Sequence, residues 1–290
     1  MIASMTGFGK SQGHFEGKKI TIELKSLNSK QGDFIIRMPS IYKEKELIIR
    51  SLLSKELQRG KVEISVYTEG SGEEVQHTFN RELAIRYYEG LKSLKEELAL
   101  PETDYLSQIM RLPDVLQAER SDLSEAEWTA LSVLLKEAIS EIKDFRNQEG
   151  RKLEKDFIER VNQIETLLQE VEKHDPKRIE AIRERITKNL EEILSSENAD
   201  YNRHEQELIY YIEKLDITEE KVRLRAHCEY FLETLESDHS QGKKLGFIAQ
   251  EIGREINTIG SKANYAPIQR AVVQMKDELE KIKEQVLNVL

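Results

Sequence analysis

Two groups of chemically capable side chains lie close together near the end of the 290-residue chain. Glu220, Arg223 and His227 recur at helical spacing, and Glu251, Arg254 and Glu255 fall within one turn and a residue of each other. Residues three or four apart share a helix face, so each group occupies one flank. An imidazole with one or two carboxylates is a ligand set for a divalent cation and also an acid–base pair for moving protons. Guanidinium groups beside them would neutralise charge that builds on a phosphoryl centre. An interhelical salt-bridge network with a boundary histidine would use the same residues, and spacing alone leaves both readings open.

Apolar seams must bring these flanks together. Ile217, Leu224, Cys228, Phe231 and Leu235 form one, and Leu245, Ile248, Ile252, Ile256 and Ile259 form the next, each with the 3.6-residue period of a helix packed on a core. The turn SDHSQG at 237–242 is short, so the two helices should be antiparallel neighbours. With the turn centred near residue 239, His227 is level with Glu251, and Arg223 with Glu255. Helices are expected over 203–214, 217–236, 242–259 and 267–288, with Asp216 and Glu219 as a capping box for the second. Cys228 sits on a seam and reads as core.

The start of the chain has a different period. KITIELKS alternates Ile20, Ile22 and Leu24 with polar residues, FIIRM at 34–38 is a second strand, and KVEISVYTE is a third. A helix over 42–58, ending at Arg59-Gly60, separates the last two, giving a β-β-α-β unit in an α+β protein. From Trp128 a seam runs through Leu131, Leu135, Ala138, Ile142, Phe145, Leu153, Phe157, Val161, Ile164, Leu168 and Val171. His174-Asp175-Pro176 should end that helix, and a second through Ile179, Ile182, Ile186, Leu190 and Ile193 should complete an antiparallel hairpin or arm. The expected division is an α+β domain over 1–122, the arm over 123–198 and a helical domain over 199–290.

The net charge of −10 disguises an uneven distribution. Residues 1–70 carry twelve Lys and Arg against eight Asp and Glu, a balance of +4; 71–240 carry −16 and 241–290 carry +2. The basic ends permit a polyanionic partner. No apolar run is long enough to span a membrane, and the opening MIASMTGFGK lacks the apolar stretch of a signal peptide. With a single cysteine besides, the expectation is a cytoplasmic protein without a disulfide framework. Gly7, Gly9 and Gly13 do not make a dinucleotide-binding fingerprint, and no spacing supports a Ser-His-Asp triad.

Several stretches together resemble the bacterial YicC/YloC family: Met5-Thr6-Gly7-Phe8-Gly9, Ser26-Leu27-Asn28-Ser29-Lys30, Arg59-Gly60-Lys61, Arg111-Leu112-Pro113, Leu215-Asp216-Ile217 with Glu219-Glu220, and the block from Gly242 to Ala263. The resemblance runs from end to end of the chain. It implies an endoribonuclease assisted by a divalent cation, Mn2+ or Mg2+, and a homo-oligomeric ring, hexameric, whose helical arms close around RNA. It implies RNA contacts at Asn28, Lys30, Arg59 and Lys61, with Asn257 and Lys262 expected beside them, and site membership for His227, Glu251, Arg254 and Glu255; the hairpin level adds Arg223 and makes His227, Glu251 and Glu255 the expected metal ligands. Gly246 stands where relatives often carry an aspartate, which bears on metal affinity. The alternative is a non-catalytic RNA clamp that presents RNA to other ribonucleases, with the Glu251 group structural.

Overall fold

The computed structural model describes residues 2–29, 32–70, 77–99, 101, 104–118, 123–194, 206, 209–210, 212–237 and 242–290. The fold is α+β. Strands β1 (Gly7–Phe15), β2 (Lys18–Leu27), β3 (Gly32–Arg37) and β4 (Gly60–Gly70) form one sheet in the order β1-β2-β4-β3. β3 runs parallel to β4, and the connection between them carries a 3-10 turn (Ser40–Lys45) and helix α1 (Glu46–Leu57). The expected β-β-α-β unit is present, with β1 added as an edge.

β1 escaped the periodicity reading because its inward positions are Gly7, Gly9, Ser11 and Gly13. A Cβ on Gly9 would come within 2.8 Å of the Ile142 backbone nitrogen, and one on Gly13 within 2.9 Å of Leu134 Cδ2. The strand therefore presents bare backbone to the helix crossing it, and Ser11 Oγ donates to the Leu134 carbonyl at 2.7 Å. Small residues at every second position were the available signal.

A small module follows, with β5 (His77–Phe79) paired to β6 (Leu116–Ala118) around α2 (Arg81–Leu98) and α3 (Tyr105–Ile109). Beyond it α4 (Glu125–Leu194) is one helix of 70 residues. The hairpin expected from His174-Asp175-Pro176 is corrected: Pro176 lies inside α4. Proline removes one backbone donor, but the neighbouring turn is clamped from outside. Asp175 accepts from Arg178 Nε at 2.8 Å and from Lys221 Nζ at 2.7 Å, and Arg178 Nη1 donates to the Leu215 carbonyl at 2.8 Å. Asp175 and Arg178 are both buried, so the clamp forms part of the interior.

The first half of α4 covers the sheet, through Leu131, Leu135, Ala138, Ile139 and Ile142 against Ile20, Ile22, Leu24, Val62 and Ile64. Three further helices follow, α5 (Thr218–Glu236), α6 (Gly242–Lys262) and α7 (Ala266–Val286); the middle of α4 packs on α5 and α7 through Phe157, Val161, Ile164, Leu168 and Val171, and α6 packs on both of these. The expected helix over 203–214 lies partly outside the described residues, and 212–214 are helical. Both chain ends close the structure: Met5 N donates to Asn288 O at 2.8 Å, Leu290 N to Ala3 O at 2.9 Å, and Ser4 N to Arg146 O at 3.0 Å.

Cys228 is buried in the second core, and desolvation pushes its thiol up to about 12. A thiol pKa raised above its unfolded value means that folding favours the protonated form. That contribution is complete below about pH 9 and is lost as pH climbs from there towards about 12. At pH 8 we expect iodoacetamide to label Cys228 only as fast as the domain opens, with full labelling in denaturant; mass spectrometry reads both.

Candidate functional site

The α5–α6 hairpin forms as expected, and one residue reports its register. Lys262, at the end of α6, donates from Nζ to Glu220 Oε1 at 2.7 Å and to the Asp216 carbonyl at 3.0 Å. The level opposite residue 262 therefore lies between residues 216 and 220. Counted along antiparallel helices, the level opposite His227 lies between residues 251 and 255. The pair also fixes the side: Glu220 and His227 share one flank of α5, Glu255 and Lys262 share one flank of α6, and those flanks meet. At the start of α5, hydrogen bonds from the Thr218 hydroxyl and amide hold the Asp216 carboxyl below its usual range, with Asp216 Oδ1 accepting from the amide at 3.0 Å.

The individual side chains differ in environment. Glu255 is 8% exposed and makes no hydrogen bond or ion pair with the described residues. His227 is half-buried on the facing flank, with no bond to either glutamate. Glu251 pairs with Arg254 on its own helix at 2.9 Å, and the Arg254 side chain is 72% exposed. Arg223 pairs with Glu219, also along its own helix, and is 56% exposed. The arginines are thus exposed surface cations on local carboxylates, pairs worth a fraction of a kcal/mol each that a phosphate could displace.

Among the described residues, no group of three or more His, Cys, Asp or Glu side chains is arranged to hold a metal ion. His227, Glu251 and Glu255 are brought to one level without forming a closed three-ligand set. What the arrangement offers is a sheltered carboxylate, an imidazole and a second carboxylate bordered by two guanidiniums.

The other sequence-derived residues scatter. Asn257 is exposed, two positions beyond Glu255 and so off that flank. The Lys262 ammonium is taken up by Glu220 and Asp216, which makes it a hairpin tie in this structure. Asn28 and Lys61 are exposed, Arg59 is half-buried just before the inner strand β4, and Lys30 lies outside the described residues.

Residues that sequence reasoning missed include the Asp175–Arg178–Lys221 clamp and Arg146. The seam of α4 passes through Arg146, which is 3% exposed, and leaves Phe145 at 40%, so the expected seam position is off by one. The signal was present: Arg146 stands four residues after Ile142, a cation at an inward position. Beside the α4–α5 clamp lies a cleft of about 450 Å³ lined by Glu172, Asp175, Ile179, Glu180, Arg183 and Lys221.

Comparison with known proteins covers both halves of the molecule. Residues 2–155 match the endoribonuclease YicC-like N-terminal region, and residues 171–290 match the endoribonuclease YicC-like C-terminal family. The chain is 32% identical over 292 residues to a protein of Clostridioides difficile named probable endoribonuclease YicC, covering 100% of both. It is 30% identical over 293 residues to a protein of the same name from Haemophilus influenzae, again covering 100% of each. With both regions matched in order and the relatives aligned over their whole length, the chain belongs to the endoribonuclease YicC-like family.

Proposed function

We propose that this protein is a cytoplasmic endoribonuclease and that the facing flanks of α5 and α6 carry the reaction. The observation behind this reading is the register reported by Lys262, which sets His227 opposite the turn from Glu251 to Glu255. A carboxylate, Glu255 or Glu251, takes the proton from the oxygen that attacks phosphorus. The bond from phosphorus to the leaving ribose oxygen breaks, and that oxygen takes a proton from the His227 imidazolium. Arg223 and Arg254 leave their local carboxylates to neutralise the phosphoryl oxygens. The divalent cation belongs to the reading as Mn2+ or Mg2+, ions that bind through one or two carboxylates and complete their shell from substrate phosphate. No proton transfer above runs through it.

RNA approaches over Asn28, Arg59 and Lys61 in the basic first seventy residues, with Asn257 a further contact on α6. Self-assembly belongs to the same reading. In α2 the spacing Ala84, Tyr87, Leu91, Leu94, Leu98 is a heptad seam, and its last two members are 48% and 57% exposed where α3 no longer covers them. Another copy in a ring, a hexamer by family likeness, would cover them.

The clamp reading is favoured by one feature, the pairing of both arginines along their own helices. Incubating end-labelled RNA with highly purified protein separates the two readings. The nuclease reading expects internal cuts that chelator suppresses and added Mn2+ or Mg2+ restores. Salt-sensitive binding with no internal cuts under any metal condition would establish the clamp instead.

A further inference from the structure

The most exposed aromatic side chain among the described residues is Phe247, at 67%, and it lies four residues before Glu251 on α6. Tyr230, at 44%, lies three residues after His227 on α5. Residues three and four apart share a helix face, so each ring stands one turn, about 5.4 Å, from a residue of the catalytic flank. In an antiparallel hairpin both of these steps run towards the connecting turn. The two rings therefore border the same end of the flank, and the tie between Glu220 and Lys262 closes the other.

A cation stands with the rings. Lys244 Nζ lies 4.6 Å from the centroid of Tyr230, within the range of a cation–π contact. Lys243 and Lys244 are exposed and pair with no carboxylate among the described residues, and Phe247 has no ring partner among them. A single exposed apolar side chain is ordinary on a protein surface. Two aromatic rings and an unpaired ammonium at one end of a flank that carries an imidazole and carboxylates fit something narrower, a planar ligand that bears a negative charge. The patch is too small for a stable contact between proteins, which buries about 1,000 Å² or more. A nucleobase with its phosphate is both small and planar, and it brings the charge.

We propose that Phe247 and Lys244 form a nucleotide subsite beside the scissile phosphate. Phe247 stacks on the base, and Lys244 pairs with the phosphate of that nucleotide. Tyr230 is a positioning residue: its ring holds the Lys244 ammonium in place, where a free lysine would sample many rotamers. The inference rests on the reading that RNA crosses the α5–α6 flank, and it adds a contact to a base, which that reading lacks. Every base has a π-face, so the subsite accepts all four, with a modest preference for purines from their larger stacking area.

The experiment titrates a set of short single-stranded RNAs, each carrying one 2-aminopurine at a different position, across a salt series, with gels confirming intact strands. Stacking on an aromatic ring quenches the fluorescence of this base, so the wild-type protein should quench at least one member of the set. Phe247→Ala and Phe247→Leu should abolish that quench and weaken binding about tenfold at an unchanged salt slope, and Phe247→Trp should restore both. Lys244→Gln should keep the quench and lower the salt slope by about 0.7. Tyr230→Leu should weaken binding about threefold, the loss of an exposed cation–π contact, and Tyr230→Phe should restore it. These side chains are exposed, so the variants should melt with the wild type. A quench that survives in Phe247→Ala and Phe247→Leu overturns the subsite, as does binding by the wild type with no quench at any position. A Phe247→Ala protein that sediments as a smaller species than the wild type shows a contact between copies of the chain and also overturns it. Quench and binding by a wild-type protein that never cuts would sink the nuclease reading and leave the subsite standing, whereas cutting with a quench indifferent to Phe247 would sink the subsite alone.

Discussion

Replacing Glu255 by Gln should slow RNA cleavage by about a hundredfold or more while the protein melts at the same temperature or slightly higher. The two halves of this expectation have one cause. Glu255 is 8% exposed and its carboxylate bonds to none of the described residues, so exchanging it for an amide breaks no stabilising contact. An amide of nearly the same shape keeps the packing and loses the ability to accept a proton. If Glu255 were a strut in a salt-bridge network, the same change would lower stability by about 1 kcal/mol or more. Glu251→Gln breaks only a surface pair with Arg254, so its stability should move by less than about 0.5 kcal/mol. Its cleavage rate should fall with that of Glu255→Gln. Melting curves and initial rates on the same preparations read both quantities.

The second large effect is structural. Gly150→Ala should cost about 3 kcal/mol in urea denaturation, although alanine is the better helix former by about 1 kcal/mol. Gly150 is in α4, and a Cβ there would fall on the Ile2 carbonyl and come within 2.9 Å of Ala3 Cα. These are backbone atoms that cannot rotate away. The segment they belong to is held by Ser4 N to Arg146 O and by the pairing of Ala3 and Met5 with the last residues of the chain. Pushing it outward should unlatch both ends, so amides of Ser4, Met5 and Leu290 should exchange faster. A variant stabilised by about 1 kcal/mol would show that helix propensity rules at this site and that the close approach does not exist.

What the sequence disclosed depended on whether one local period decided the matter. The isoleucines of α6 did so, because Ile248, Ile252, Ile256 and Ile259 can share a core only on a helix, and all four are buried. A short polar turn then implied the antiparallel partner and the level of His227. The break at Pro176 was misjudged because proline's local cost is legible, whereas the clamp that meets it joins Asp175 to Lys221 and Arg178 to Leu215, 46 and 37 residues apart. β1 was missed because strand signals rest on bulky alternation, and this strand alternates its absences. Arg146 was hidden by the assumption that a seam is apolar throughout; its role depends on carbonyls and a hydroxyl from Leu57 and Ser26, which no local pattern announces. For the flank itself, the sequence placed the residues at one level but could not show that each arginine pairs along its own helix, since Glu219 and Glu251, one turn away, compete with the cross-helix carboxylates for the same guanidinium groups.

The claim at the centre of this account is that His227 and Glu255, on different helices, act as one reaction centre. A double-mutant cycle with His227→Gln and Glu255→Gln, read as single-turnover cleavage of one labelled RNA, tests it directly. The account expects each single variant to lose most of the rate and the double variant to be about as slow as the slower single. Losses that multiply, or wild-type rates in both singles, would place the chemistry elsewhere in the molecule.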